Sequence, residues 1–428
     1  MLDRTIAPKG VKLDDKFDIP TAQTKQFKNG VFLHTLLSGH QEAIRLEFIF
    51  EGGNWNQQQP GASYFTTKLL SSGTKSYSSK EIEQLLALSG AFLELESNND
   101  KNTITLYILS KHLESLLPLL LEIITLPTFP ETELNNLKQI TQQSLSVNLN
   151  KTSYLASTKF KEVLYGSEHP YGRNFTQNVI EEVDRTHLVS YFTNTFSSNN
   201  CNIILSGNTG QYKIIELLES YFGSSSWGTN LSRETIDFEH NYIPQNLLIE
   251  KVESIQSSIR IGMPLFNITH QDYIETSILV EVFGGYFGSR LMKNIREDKG
   301  YTYGISASLV SMKNGGYFVV GTDVDVAYTK DTIAQVLLEM KKLKEEIISE
   351  EELELVKQYL IGSFLNSINT PFALADRFKS IYFYLLPIDF YSIYLQKIEN
   401  VTAEQLRVLA KKYFVEDLLS YVVAGAKA

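Results

Sequence analysis

The sequence predicts an α+β protein built from two homologous halves, each an antiparallel-rich sheet covered by helices. Three internal matches carry this expectation. Ile44-Arg45-Leu46 recurs as Ile259-Arg260-Ile261, Leu134-Asn-Asn-Leu-Lys-Gln139 as Leu353-Glu-Leu-Val-Lys-Gln358, and the strand pattern of Cys201–Gly207 as that of Ser420–Gly425. All three pairs are offset by roughly 215 to 220 residues, a constancy expected of an internal duplication and not of chance. Paired strand patterns followed by paired helix patterns give the layered arrangement of sheet against helix.

In chain order, a polar arm runs to about residue 24, and Gln26 to Leu37 alternates around Asn29-Gly30 as a turn entering a strand. Ile44 to Phe50 reads as the next strand, broken by Gly52 and Gly53. Pro60-Gly61 precede a helical stretch, Ala62 to Leu70, which Ser72-Gly73 end. Ser78-x-x-Glu81 is a capping box that opens a helix reaching Gly90. Strands follow at Ala91–Glu96 and Thr103–Leu109, then a helix through Leu113–Thr125 and, after Pro127 and Pro130, a long helix from Glu131 into the 140s. The seam between the halves falls in Ser224 to Ile243, a polar, Ser-rich stretch without periodicity. The expected domains are residues 1–228 and 246–428, with 229–245 as linker.

Composition narrows the function. A chain of 428 residues exceeds one ordinary core, and 43% hydrophobic with 21% charged residues is the balance of a globular protein. A net charge of −10 with Lys and Arg scattered singly argues against nucleic acid or an anionic membrane as partner. The single cysteine, Cys201, lies in an apolar run and is expected to be a buried structural thiol. The N-terminus lacks an apolar leader core, and the run Leu116 to Leu126 is interrupted by Pro118 and Glu122. The expectation is a soluble cytoplasmic protein, or a periplasmic one if a leader has been removed.

The stretch Gly284 to Ser306, GGYFGSRLMKNIREDKGYTYGIS, is the richest in chemistry. Leu291 and Ile295 have helical spacing, Arg296 and Lys299 lie in the last turn, and Gly300 is placed as the residue after the helix end. Tyr301 to Leu309 reads as a strand, which sets Tyr303 just inside it. Arg296 and Tyr303 then converge on one peptide group as a carbonyl clamp, or else Arg296 pairs with Glu297 or Asp298 and Tyr303 packs on the sheet.

The pattern G-G-x-x-x-S-R-L followed by R-E-x-x-G-x-x-Y resembles the C-terminal domain of the pitrilysin/insulinase-type zinc peptidases, which include mitochondrial processing peptidase. The resemblance implies their two-domain metallohydrolase fold. It also implies that Arg296 and Tyr303, seven residues apart, touch the substrate backbone opposite a metal site. In that family the first half carries H-x-x-E-H, two His on one helical face for zinc and a Glu that activates water. Aligned on Gly73-Thr74, which match the Gly-Thr after the family motif, Tyr64 and Lys68 stand at the His positions and Thr67 at the Glu position. Aligned on Phe129 and Lys138-Gln139, Ser144, or Gln143 one register away, stands at the third ligand. None is a strong zinc ligand. His34, His40, His112, His169, His187, His240 and His270 contain no pair at three- or four-residue spacing. His169, in Glu-His-Pro-Tyr-Gly-Arg, resembles the family's H-P-Y-G loop and is expected to be structural.

The resemblance therefore implies a non-catalytic subunit, with no cofactor of its own and zinc in a partner that keeps H-x-x-E-H, binding peptide through Arg296 and Tyr303. A structural scaffold subunit is the alternative, and self-association into a homodimer is left open. No nucleophile elbow, phosphate loop or dinucleotide fingerprint supports an independent enzyme.

Overall fold

A computed structural model describes residues 21–229, 238 and 241–427, so most of the expected linker lies outside the described residues. The first sheet comprises β1 (Gln23–Gln26), β2 (Phe32–Leu37), β3 (Ala43–Glu51), β4 (Phe92–Ser97), β5 (Lys101–Leu109) and β6 (Cys201–Gly207). Its spatial order is β1-β2-β6-β3-β5-β4. The second comprises β7 (Asn246–Glu250), β8 (Gln256–Leu265), β9 (Ile305–Met312), β10 (Gly315–Asp325) and β11 (Ser420–Gly425), in the order β7-β11-β8-β10-β9. Equating β2, β3, β4, β5 and β6 with β7, β8, β9, β10 and β11 makes the two orders identical. In each sheet one parallel pair, β2 with β6 and β7 with β11, sits among antiparallel neighbours. The duplication read from three short matches is thus a duplication of topology.

Helices fill the connections in the same order. The first half contributes α1 (Ala62–Lys68), α2 (Ser79–Leu88), α3 (Leu113–Thr125), α4 (Glu131–Asn148), α5 (Thr152–Tyr165), α6 (Gln177–Glu182), α7 (Arg185–Thr195) and α8 (Ile214–Phe222). The second contributes α9 (Tyr273–Val280), two π-helical segments at Glu281–Gly285 and Met292–Asp298, α10 (Thr329–Glu345), α11 (Glu350–Asn366), α12 (Pro371–Phe383), α13 (Phe390–Asn400) and α14 (Ala403–Tyr413). The capping box at Ser78 and Glu81 forms as the sequence indicates, with each side chain bonded to the other residue's backbone N–H. By element order the counterpart of α1 is α9, and that of the clamp segment Met292–Asp298 is α2. No described helix is long and apolar enough to cross a membrane.

Each sheet is buried on both faces. Along β3, Ile44, Leu46, Phe48 and Phe50 point into the core beneath the first half's own helices, whereas Ile49 points the other way, joined by Leu36 and Ile204. That opposite face is covered by Ala375 and Phe383 of α12, a helix of the second half. The exchange is reciprocal. Phe160, Val163 and Leu164 of α5, a first-half helix, cover Val422 of β11 on the face of the second sheet turned away from its own helices. Because the two helices cross over, each half closes the other's sheet. Five buried residues anchor the halves in this way, four of them large apolar side chains worth about 1.5–3 kcal/mol each, so the halves are held together far more firmly than by a linker.

Candidate functional site

Helix α1 carries the motif positions. Gly61, with φ +87, turns the chain into it, and Thr67 is fully buried. The Thr67 hydroxyl donates to the carbonyl of Ser63 at 2.8 Å and to Asn102 Oδ1 at 2.9 Å. It belongs to a closed network in which Ser63, Ser97, Asn102 and Tyr191 bond one another, with Tyr191 donating to the Gly53 carbonyl. Lys68 donates to the carbonyl of Leu95 on β4 at 2.5 Å. Tyr64 packs edge-on against Phe65 and Phe175. Ser144 and Gln143 lie exposed on α4, and no hydrogen bond joins either to α1 among the described residues.

This arrangement does not fit the zinc that active family members hold. An ammonium at a ligand position repels a cation, a hydroxyl already spent in a dry network offers no base, and a phenol clasped by aromatic rings is a weak ligand. Among the described residues no cluster of three His, Cys, Asp or Glu is placed to hold a metal ion. His169 accepts from the Tyr171 N–H and packs between Tyr165 and Trp55. Tyr171 donates to Asp100 at the β4–β5 turn and accepts from Asn314 at the β9–β10 turn. The loop therefore joins corresponding hairpins of the two halves.

The clamp segment departs from the sequence expectation in two ways. Its helix is widened, with Lys299 N–H reaching the carbonyl of Asn294 five residues back, a π-type step that re-aims the following side chains. Gly300 does end it in the left-handed region at φ +66. Upstream, Gly284 lets the segment touch β9, since a Cβ there would lie 2.8 Å from Ala307. Arg290 holds Glu352 of α11 through two 2.8 Å hydrogen bonds. Arg296 pairs with neither Glu297 nor Asp298. Its guanidinium lies 4.4 Å over the ring of Phe287, itself 62% exposed.

Tyr303 is not in a strand. It precedes β9 in a loop and is 96% exposed, with no packing against the sheet. The loop is nonetheless tied on both sides. Thr302 Oγ1 donates to the carbonyl of Asp323 on β10, and Thr322 Oγ1 donates to the carbonyl of Gly304. Tyr303 stands at the edge of a cleft of about 430 Å³ on the face of the second sheet that carries α5, with Arg260, Thr302, Ser306 and Asp323 among its lining. No hydrogen bond joins Arg296 to Tyr303 among the described residues, and Arg296 does not line this cleft.

Arg260 is the residue that motif reading passed over, although it lay inside one of the repeat matches. Its counterpart Arg45 is neutralised. Arg45 Nη2 lies 2.8 Å from Asp376 and 3.0 Å from Glu47, and Lys379 lies 2.6 Å from Glu47. Burial opposes the charge of Arg45, but Glu47 and Asp376 outweigh it and raise its pKa. For Arg260 burial dominates and lowers the pKa, with Asp323 the opposing charge. The signal in the sequence was two residues on, where Glu47 is matched by Gly262.

A duplicated sheet-and-helix protein with no cluster of metal-binding side chains among the described residues is the class that this fold and site define. Residues 52–168 match the family described as "Insulinase (Peptidase family M16)", and residues 182–360 match "Peptidase M16 inactive domain". The chain belongs to the M16 peptidase family, and its second half matches the domain of that family described as inactive. It is similar to the "Non-peptidase homolog YmxG" of Helicobacter pylori, 25% identical over 398 residues covering 90% of this chain and 89% of the relative. It is also similar to the "Probable mitochondrial-processing peptidase subunit beta" of Schizosaccharomyces pombe, 19% identical over 385 residues, 86% of this chain and 83% of the relative. A crystal structure described as a peptidase M16 inactive domain from Pseudomonas fluorescens shares the fold. Its TM-score is 0.85 at 22% identity, covering 95% of this chain and 98% of that one.

Proposed function

We propose that the chain is a zinc-free subunit of an M16-type metallopeptidase. Residues 1–228 form a domain with a degenerate metal site, and residues 246–428 form the domain that presents Arg296 and Tyr303. A partner chain carrying H-x-x-E-H and zinc performs the hydrolysis, while Arg296 and Tyr303 hold the extended peptide. The observation that carries this reading is Tyr303, a large aromatic side chain 96% exposed on a loop tethered at Thr302 and Gly304. An exposed phenol on a fixed backbone is prepared for a ligand. Arg296, stacked on Phe287 and without a carboxylate partner among the described residues, keeps its donors available. Both groups are donors suited to a substrate carbonyl and to the oxyanion formed from it. The naming of a similar protein as a processing-peptidase subunit supports a partnered role.

The test is reconstitution with the catalytic partner. Arg296→Ala and Tyr303→Phe should each lower peptidase activity by about 10- to 1000-fold, the range for a lost transition-state donor, with the heterodimer intact by gel filtration. Full activity with both replaced would replace this reading with a scaffold role. Loss of the heterodimer would make them interface residues.

A further inference from the structure

The internal duplication turns the second half's open cleft into an experiment already performed. In the first half, Arg45 of β3, Glu47 two residues on, and Asp376 and Lys379 of the crossing helix α12 form a compact charged quartet. In the second half the same four places are recognisable by contact. Arg260 of β8 donates from Nε to Ser157 Oγ of α5 at 3.1 Å, where Arg45 meets Asp376. Gly262 faces Phe160 of α5, where Glu47 meets Lys379. Three of the four charged residues are thus replaced by Gly, Ser and Phe, and the arginine alone remains.

The remaining bonds of Arg260 do not neutralise it. Nη1 donates to the carbonyls of Ile259 at 2.8 Å and Thr322 at 3.4 Å, Asp323 Oδ1 stands off at 3.8 Å and is half exposed, and Nη2 has no protein acceptor among the described residues. Gly321 lies across the strand pair, where even a Cβ would only meet the arginine side chain in ordinary contact at 3.5 Å. We propose that the cleft beside Tyr303 is a carboxylate-binding subsite in which Arg260 receives an anionic group of the bound peptide, an Asp or Glu side chain or the free C-terminus. This rests on the peptide-binding reading above and adds its substrate class. A guanidinium in a partly desolvated cleft favours a planar carboxylate over a neutral amide, because the anion restores both the lost hydration and the missing charge.

The experiment measures fluorescence anisotropy of four labelled octapeptides of one sequence on the full chain. They carry Glu or Gln at the centre and a free or amidated C-terminus. Peptides with the recognised carboxylate should bind about 10- to 100-fold more tightly than the fully neutral one, and the Glu-amide and Gln-acid members show which source is read. Ser157→Asp, which rebuilds the first half's pairing without touching Arg260, should erase that preference while circular dichroism stays unchanged. Asp323→Asn, at a half-exposed site, should widen it. Equal binding of all four peptides, a preference untouched by both variants, or no binding at all would overturn the proposal. Tyr303→Ala separates the two readings: a carboxylate preference that survives it keeps the subsite and removes the clamp, whereas weaker binding without any preference keeps the clamp and removes the subsite.

Discussion

Acidification should loosen the packing of α12 on the first sheet through one residue, His34. It lies on β2 with no exposed surface, accepts from Thr24 Oγ1 at Nδ1 and meets Asn202 Oδ1 from Nε2. Its ring packs 4.3 Å from that of Tyr382 and 5.0 Å from that of Phe378, both on α12. Burial pulls its pKa from 6.5 down to about 4, with the Asn202 hydrogen bond opposing weakly. Above pH 6.5 the imidazole is neutral whether the chain is folded or not, and nothing is lost. Between 6.5 and 4 the unfolded chain takes up a proton that the folded one refuses, so stability falls as pH falls and levels off below 4. From these two values the loss is about 2 kcal/mol at pH 5 and about 3 kcal/mol at pH 4. Carboxylates add their own acid dependence, so the measurement is a difference. Urea-unfolding free energies at pH 7.5 and pH 5 are compared for the wild type and His34→Gln, and the variant should lose less on acidification by about 2 kcal/mol. Identical pH dependence in both, or an imidazole titrating near 6.5 by NMR in the folded protein, would refute the reasoning.

The purified chain should carry no stoichiometric zinc by elemental analysis and hydrolyse no peptide alone; one tightly held zinc with chelator-sensitive hydrolysis would contradict the degenerate site at Tyr64, Thr67, Lys68 and Ser144. Glu47→Ala leaves the nearly buried Arg45 and the partly buried Lys379 short of a carboxylate and should cost about 3 kcal/mol in urea unfolding; a change near zero would show that Asp376 suffices. Phe160→Ala, at a side chain 2% exposed between α5 and the second sheet, should cost about 3–5 kcal/mol and expose apolar surface to a hydrophobic dye. An unchanged unfolding midpoint would remove α5 from the core.

Much of the fold was legible because its signals are local. Helices α3 and α4 begin at Leu113 and Glu131 as their periodicity indicates, and β3 is legible from its apolar residues Ile44, Leu46, Phe48 and Phe50, which alternate with Arg45, Glu47 and Ile49. The duplication was legible from short matches, since corresponding positions face corresponding neighbours. What no local pattern contains is which sheet α5 and α12 cover. Periodicity defines an apolar stripe and not its partner. The π-type turn escaped notice because it differs from an α-helix by one residue in hydrogen-bond spacing, not in composition. Tyr303 was drawn into a strand by the alternation from Tyr301 onward, whereas Thr302 ties the backbone down as a loop. Arg296 and Tyr303 were visible as a spaced pair through resemblance. Arg260 required the comparison of two halves at the level of contacts.

The reciprocal crossing of α5 and α12 also sets a timetable for synthesis. When β6 has left the ribosome, every strand of the first sheet exists, yet one face of it still presents Leu36, Ile49 and Ile204 to solvent. Its cover, Ala375 and Phe383, comes only after four of the second sheet's five strands. In turn α5 waits still longer, for β11, the last strand among the described residues. Neither half is closed by its own elements: α12 completes the first sheet, and β11 gives α5 its place on the second. A cut in the seam of the finished protein should leave two fragments that remain clasped.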